Sequence, residues 1–190
     1  RAFDSYWAIN PECPTAVDGE WRYPDGYRFF RRFFEKYPHV QLIVEDLGDL
    51  RPEVLYLRDT FMLAGMREVE FTIFEDEFEN KRIEKENMVY YTSTHDNETL
   101  AEWIANLPKA KKDMLKKRMD ELGIQGKNLC EKLIKYAYRR KERIVIASVS
   151  DILNLNKTHR MNVPGVVNDV NWRFKLQGFR QLGKALSKFF

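Results

Sequence analysis

The sequence contains very little cysteine, and its two cysteines, Cys13 and Cys130, lie far apart in the chain. Such a pair makes no disulfide framework and does not match the spacing of a metal site, so the sequence predicts no metal and a reducing, cytoplasmic location. Apolar runs long enough to cross a membrane are also missing, and no signal peptide opens the chain. We therefore expect no membrane partner. The first residue is Arg1 rather than Met, so the start need not be native.

Charge is unevenly distributed along the chain. The formal net charge is +3, yet residues 1–90 are net acidic and residues 91–190 are net basic. The basic excess falls largely in residues 109–117 and 136–143, which have the pattern of the outer faces of amphipathic helices. A nucleic-acid-binding domain could use such runs, but solvated helix faces are their commoner origin. The sequence therefore predicts no nucleic-acid partner.

Short apolar segments typical of strands alternate with helical segments. The predicted strands are residues 40–44, 66–74, 88–92 and 144–149, and the predicted helices are residues 27–37, 52–64, 98–107, 109–122, 128–140 and 174–190. Predicted loops are residues 1–27, 75–86 and 151–172. Alternation of this kind indicates an α/β fold with parallel strands and right-handed crossovers. Four strands are half of a (β/α)8 barrel, which takes about 250 residues in full. We predict one partial barrel domain over residues 1–190.

Polar side chains follow two of the predicted strands at the point where each strand ends. Glu45 and Asp46 follow residues 40–44, and the run from Thr94 to Asn97 follows residues 88–92. Asp96 or Asn97 could simply cap the helix that follows, and Glu45 and Asp46 could be a cap pair for theirs. Because the carboxyl ends of parallel strands meet at one edge of a sheet, Glu45 and Asp96 are also expected to share a cleft. Glycoside chemistry needs two such carboxyl groups.

Several short segments together resemble one known family, the amylomaltases (4-α-glucanotransferases). Val44-Glu45-Asp46-Leu47-Gly48, followed by Pro52-Glu53-Val54, resembles the acid/base segment of the family. Thr94-His95-Asp96-Asn97-Glu98-Thr99 resembles its third-carboxylate segment, and Arg160-Met161-Asn162-Val163-Pro164-Gly165 with Asn171-Trp172 resembles its closing loop. Ala2-Phe3-Asp4-Ser5-Tyr6-Trp7, Pro14-Thr15-Ala16, Gly19 and Trp21 also match. The segments occur in the order of the family and cover nearly the whole chain.

The resemblance implies a role for each matching residue. Glu45 would be the general acid/base, which protonates the departing glucan and then deprotonates the acceptor hydroxyl. Asp96 would bind hydroxyls of the sugar at the cleavage point and stabilise its distorted transition state, and His95 would hydrogen-bond the same sugar. Asp46 and Asn162 would be substrate contacts. The implied substrate is an α-1,4-glucan or maltooligosaccharide, and no organic cofactor is implied.

One expected group of the family is missing from the chain. The family uses a nucleophilic Asp within an Asp-His-Phe-Arg segment, and Arg1 resembles the Arg of that segment. The nucleophile would then lie upstream, and the chain would be the second half of the barrel, with strands five to eight. Ser93 and Val170 are smaller departures from the family pattern.

A half barrel would leave its first and last strands as unpaired edges. We therefore predict that the chain self-associates or pairs with the missing N-terminal half. Because the nucleophile would lie upstream, we also predict that the isolated chain is inactive. A non-catalytic glucan-binding or assembly module is the alternative function.

Overall fold

The computed structural model describes residues 1–74 and 87–189. Residues 75–86, which the sequence predicts as an acidic loop, and residue 190 lie outside the described residues. The chain divides into two compact units, Arg1–Met66 and Arg67–Phe190, and each is described by itself. The expectation of one partial barrel domain stays a prediction.

The first unit begins with a β-hairpin and continues with two helices. Its elements are β1 (Tyr6–Ile9), β2 (Gly19–Arg22), α1 (Gly26–Lys36) and α2 (Pro52–Thr60). In the antiparallel pair β1–β2, Trp7 lies opposite Trp21, and the two rings meet edge to face with centroids 5.4 Å apart. The prediction of a loop over residues 1–27 is therefore wrong. Cross-strand aromatic pairing stabilises the hairpin, although its strands show no alternation of buried and exposed residues.

Helix α1 confirms the prediction for residues 27–37, whereas α2 ends earlier than predicted. Pro52 occupies the first turn of α2, as expected, but Met62 takes a left-handed φ of 51° just beyond the helix. The N–H of Leu63 donates to the carbonyl of Arg58 at 2.9 Å. This is the Schellman arrangement, which a glycine usually completes. The left-handed residue that ends the helix is therefore Met62 rather than a glycine.

The predicted strand over residues 40–44 is reduced to a single bridge. Ile43 and Ala64 form an isolated parallel bridge, with the N–H of Val44 donating to the carbonyl of Ala64 at 2.8 Å. The side chain of Ile43 is 47% exposed. The apolar run therefore has no buried face in this unit, and the prediction of a full strand is wrong.

The second unit is built around a small parallel sheet. Its helices and strands are β3 (Gly65–Glu68, of which the first two residues count with the first unit), α3 (Val69–Thr72), β4 (Met88–Tyr91), α4 (Leu100–Asn106), α5 (Lys109–Glu121), α6 (Leu129–Tyr138), β5 (Ile144–Ile146), α7 (Val149–Ile152), a 3-10 turn (Lys157–His159) and α8 (Phe179–Leu186). The sheet order is β3, β4, β5, and β4 runs parallel to β5 with Tyr90 opposite Val145. The α/β class with parallel strands is confirmed, and the half barrel stays a prediction.

Three predicted elements of this unit are shorter than expected. The strand predicted at residues 66–74 is present only over residues 66–68 and then turns into α3, because Val69 and Ile73 are one helical turn apart and both are fully buried. Strand β5 ends before Val149, where α7 begins. The helix predicted over residues 174–190 is present only over Phe179–Leu186, as α8.

Helices α4, α5 and α6 lie close to their predicted positions and enclose the core. One face of α4 is apolar, since Leu100 is buried in that core and Trp103, Ile104 and Leu107 pack against it. The core also holds Val69, Ile73, Tyr90, Leu115, Met119, Ile124, Cys130, Leu133, Ile134, Tyr136 and Ala137. Within residues 1–74 and 87–189, no helix has the length and apolar character needed to cross a bilayer.

Candidate active site

The loop between β4 and α4 is held in place by one buried carboxylate, that of Asp151. Asp151, a residue of the first turn of α7 that is 1% exposed, accepts hydrogen bonds from Thr92 Oγ1 and Ser93 Oγ, both at 2.6 Å. Its second oxygen accepts the N–H of Leu100 at 2.7 Å. Both ends of the segment that carries residues 94–97 are therefore attached to the same side chain.

Helix α4 is capped by Thr99 and not by the two residues that were candidates. Thr99 Oγ1 accepts the N–H of Glu102 at 3.2 Å. The alternative interpretation of Asp96 or Asn97 as the cap is wrong. Their side chains make other contacts.

Asp96 is held by the loop that follows the 3-10 turn. Asn162 Nδ2 donates to Asp96 Oδ1 at 2.7 Å, and Arg160 Nη2 donates to the backbone carbonyl of Asp96 at 2.8 Å. Arg160 also donates from Nε to the carbonyl of Asn162 at 2.8 Å, which closes a small ring of contacts. His95 Nε2 lies 3.5 Å from Asp96 Oδ1. The structure thus brings together three of the predicted site residues, His95, Asp96 and Asn162.

A second carboxyl group borders this segment from α3. The Asn97 amide donates to Glu70 Oε1 and accepts from Thr94 Oγ1. Burial raises the pKa of Glu70; nearby Glu98 acts in the same direction, while the hydrogen bond from Asn97 and the charge of Arg160 oppose it. The sequence predicts a strand over residues 66–74, and Glu70 is not among the predicted site residues.

Two of the predicted site residues, Glu45 and Asp46, lie in the first unit. Glu45 is exposed and lines a small cavity of about 40 Å³ beside Asp4 and Arg58. Asp46 is 9% exposed and accepts Arg58 Nη1 at 2.6 Å and the N–H of Met66 at 2.7 Å. The carboxylate of Asp46 is therefore engaged in a buried ion pair.

Neither Glu45 nor Asp46 caps the following helix. The N-cap of α2 is Arg51, and no side chain makes a cap hydrogen bond there. The capping interpretation of these two acidic residues is therefore wrong. Because Glu45 belongs to the first unit and Asp96 to the second, the cleft they are predicted to share stays a prediction.

Comparison with known proteins accounts for nearly the whole chain. A family model described as 4-alpha-glucanotransferase, glycoside hydrolase family 77, matches residues 1–181. The chain belongs to the 4-alpha-glucanotransferase family. The resemblance stated from the sequence is confirmed.

Curated relatives of this 4-alpha-glucanotransferase family member come from distant organisms. The 4-alpha-glucanotransferase of Aquifex aeolicus is 35% identical over 180 residues, which cover 93% of this chain and 36% of the relative. The Thermus thermophilus enzyme is 34% identical over 184 residues, with the same two shares. The chloroplastic/amyloplastic enzyme of Solanum tuberosum is 30% identical over 179 residues, 30% of its own length. The chain therefore spans about a third of the length of these relatives.

Solved structures agree with the family assignment. An amylomaltase from Streptococcus agalactiae in complex with acarbose superposes with a TM-score of 0.84 at 25% identity, covering 99% of this chain and 39% of that one. An amylomaltase from Corynebacterium glutamicum, at 14% identity, superposes with a TM-score of 0.63 over 92% of this chain and 30% of that one, which shows a shared fold.

Proposed function

We propose that this chain is the part of a 4-α-glucanotransferase that supplies the acid/base and the third carboxylate. The whole protein would transfer segments of α-1,4-glucan to a glucose or glucan acceptor by a retaining mechanism. The observation that carries the proposal is the clamp on Asp96, which consists of the hydrogen bonds that Asn162 donates to its carboxylate and Arg160 donates to its backbone carbonyl. Its carboxylate side chain is 48% exposed, yet its orientation is set by contacts with Asn162 and Arg160.

The clamp suits a carboxylate that must meet a sugar. Asn162 donates a hydrogen bond to Oδ1 of Asp96, and among the described residues Oδ2 of Asp96 has no hydrogen-bond partner. A fixed, accessible carboxylate oxygen can accept sugar hydroxyls and can stabilise positive charge at an oxocarbenium-like carbon. In this proposal His95 and Asn162 bind hydroxyls of the same sugar.

Glu45 takes the proton-transfer role in the proposal. It protonates the glycosidic oxygen of the departing glucan and later accepts the proton of the incoming hydroxyl. Asp46, which the resemblance implies as a substrate contact, is engaged by Arg58 at 2.6 Å and by the N–H of Met66. We assign Asp46 mainly to holding the backbone beside Glu45. The nucleophilic Asp is supplied by chain outside these residues, so the isolated chain should not turn over.

Pairing with further chain is part of the proposal. Strands β3 and β5 are the edges of the described sheet, and the β5 residues Ile144 and Ile146 are 40% and 38% exposed. Exposed apolar edge strands favour pairing with another strand. We expect the isolated chain to self-associate in light scattering, and a monodisperse monomer would count against this pairing.

Glucose release from maltotriose tests the proposed chemistry. The test protein is the Streptococcus agalactiae amylomaltase with its matching 39% replaced by these residues. We expect this chimera to release glucose, and Glu45→Gln to lower the rate by about 10²–10⁴-fold. Glu53→Gln on α2, whose side chain is 57% exposed, is the matched control and should leave the rate unchanged.

Two results would contradict the assignment. A folded, active chimera whose rate is unaffected by Glu45→Gln would remove Glu45 from the acid/base role. Robust glucose release by the isolated chain would show that it contains its own nucleophile. If the isolated chain binds sugar and the chimera releases no glucose, the non-catalytic glucan-binding alternative is favoured.

A further inference from the structure

An exposed aromatic ring beside His95 lies outside the core of the second unit. The side chain of Trp172 is 60% exposed and is absent from the core of the second unit, in which Trp103 takes part. Its backbone has a left-handed φ of 64°. A bulky residue in that region is a true outlier, and such outliers concentrate at functional sites.

The backbone around Trp172 is firmly held. Its N–H donates to the carbonyl of Met161 at 2.7 Å. The neighbouring Asn171 side chain accepts the N–H of Val163 at 3.2 Å and donates to the carbonyl of Val166 at 2.9 Å. The backbone that carries the exposed ring is therefore held in place by hydrogen bonds within residues 161–172.

The same ring packs against the residue next to the candidate carboxylate. The Trp172 and His95 ring centroids are 5.2 Å apart with planes at 39°. His95 Nε2 lies 3.5 Å from Asp96 Oδ1. An aromatic face, an imidazole and a carboxylate thus form one continuous exposed patch on the second unit.

This combination matches the two sides of a pyranose ring. A hexose presents a face of C–H groups, which packs on aromatic rings, and an edge of hydroxyls, which hydrogen-bond to carboxylates and imidazoles. We propose that Trp172 is a sugar-stacking residue, which positions a glucosyl ring so that its hydroxyls reach Asp96 and His95. The inference rests on the proposed function, since it deepens the same site.

A structural explanation competes with this one. Trp172 could serve only to shield the His95 ring and keep the loop in place. That role predicts a loss of stability when the ring is removed and no specific loss of sugar affinity. The two explanations therefore differ in binding measurements on folded variants.

Calorimetric titration of the 190-residue chain with acarbose, and separately with maltotriose, distinguishes them. Trp172→Ala should weaken binding by about tenfold, and Trp172→Phe, which keeps an aromatic face, by no more than about threefold. Val167→Ala is the matched control, because Val167 lies in the same loop and is fully exposed, and it should leave affinity unchanged. Indole fluorescence should change on binding, and the change should shrink in Trp172→Phe.

The outcomes separate this inference from the proposed function. If the chain binds acarbose, Asp96→Asn abolishes binding and Trp172→Ala does not alter it, the sugar site stands and the role of Trp172 is wrong. Weakening by Val167→Ala as strong as by Trp172→Ala would also overturn it. If the unmodified chain binds neither sugar, both the stacking role and the proposed sugar site are wrong.

Discussion

Replacing Asp151 by alanine removes the carboxylate that attaches β4, α4 and α7 to one another. Thr92 Oγ1 and Ser93 Oγ each donate to it at 2.6 Å, and the buried N–H of Leu100 donates at 2.7 Å. The side chain is almost fully buried, so water does not replace the lost oxygens without a change in packing. We expect Asp151→Ala to be among the most destabilising substitutions of the second unit.

The magnitude follows from the three donors. A hydrogen bond to a charged group contributes about 1.5–3 kcal/mol, and a buried donor left without a partner costs about 1–3 kcal/mol. Ser93 Oγ keeps an alternative, since Ser148 Oγ lies 3.2 Å away, whereas the N–H of Leu100 has none of comparable geometry among the described residues. Thr92 Oγ1 and the N–H of Leu100 are then two buried donors left without this partner, which gives a total of about 2–6 kcal/mol for Asp151→Ala. Asp151→Asn keeps an oxygen for Leu100 and should cost about 1–2 kcal/mol.

Urea unfolding followed by circular dichroism measures these differences in the free energy of unfolding. Asp169→Ala is the matched control, because the Asp169 side chain is fully exposed and its change should stay within about 0.5 kcal/mol. The order of stability should be Asp169→Ala, then Asp151→Asn, then Asp151→Ala. If Asp151→Ala unfolds at the same urea concentration as Asp169→Ala, the buried carboxylate does not hold the loop.

Three other substitutions or labels give separate tests. Arg58→Ala leaves the buried carboxylate of Asp46 without its partner at 2.6 Å, so the free energy of unfolding should fall by about 3 kcal/mol in thermal unfolding. Arg31→Ala, which removes one member of an exposed pair, should lower it by under about 0.5 kcal/mol. Equal losses of stability in the two variants would contradict this prediction. Burial, with two nearby carboxylates, raises the pKa of the Cys130 thiol to about 12. A thiol reagent should therefore label only the half-buried Cys13 of the native protein at neutral pH. Rapid labelling of both thiols would show that Cys130 is not buried. Burial raises the pKa of Glu70 above its ordinary 4.5, so the folded state binds that proton more tightly, and stability should fall as pH rises through the folded pKa. Glu70→Gln should remove this fall of the denaturation midpoint with pH. An unchanged dependence of the midpoint on pH would contradict the raised pKa of Glu70.

Local periodicity predicted the part of the fold that surrounds β4. The apolar stripe of α4 repeats every three to four residues, because those side chains face the core, and the strand before it is short and apolar. The same reasoning failed at residues 66–74, where Val69 and Ile73 fit a helix as well as a strand. Short runs rich in β-branched and aromatic residues are ambiguous without their neighbours.

Elements stabilised by contacts other than a buried face were missed. The β1–β2 hairpin is largely exposed and depends on the pairing of Trp7 with Trp21, which leaves no periodic signal. The end of α2 depends on Met62 in a left-handed conformation that sequence rules assign to glycine. In the hairpin a cross-strand ring contact outweighed local propensity, and at the end of α2 short-range backbone hydrogen bonds did so.

The sequence by itself determined the family and several of the residues around Asp96, because these rest on short contiguous motifs. It determined the α/β class through the alternation of strand and helix segments along the chain. Only the tertiary structure showed that Asn162 contacts a carboxylate 66 positions earlier in the chain and that Asp151 contacts Thr92 across 59 positions. The Ser148-x-x-Asp151 pattern could have indicated a helix start, but it contains no information about β4. A motif specifies local backbone geometry, whereas the partner of a buried or clamped carboxylate depends on which distant segments the fold brings within hydrogen-bonding distance.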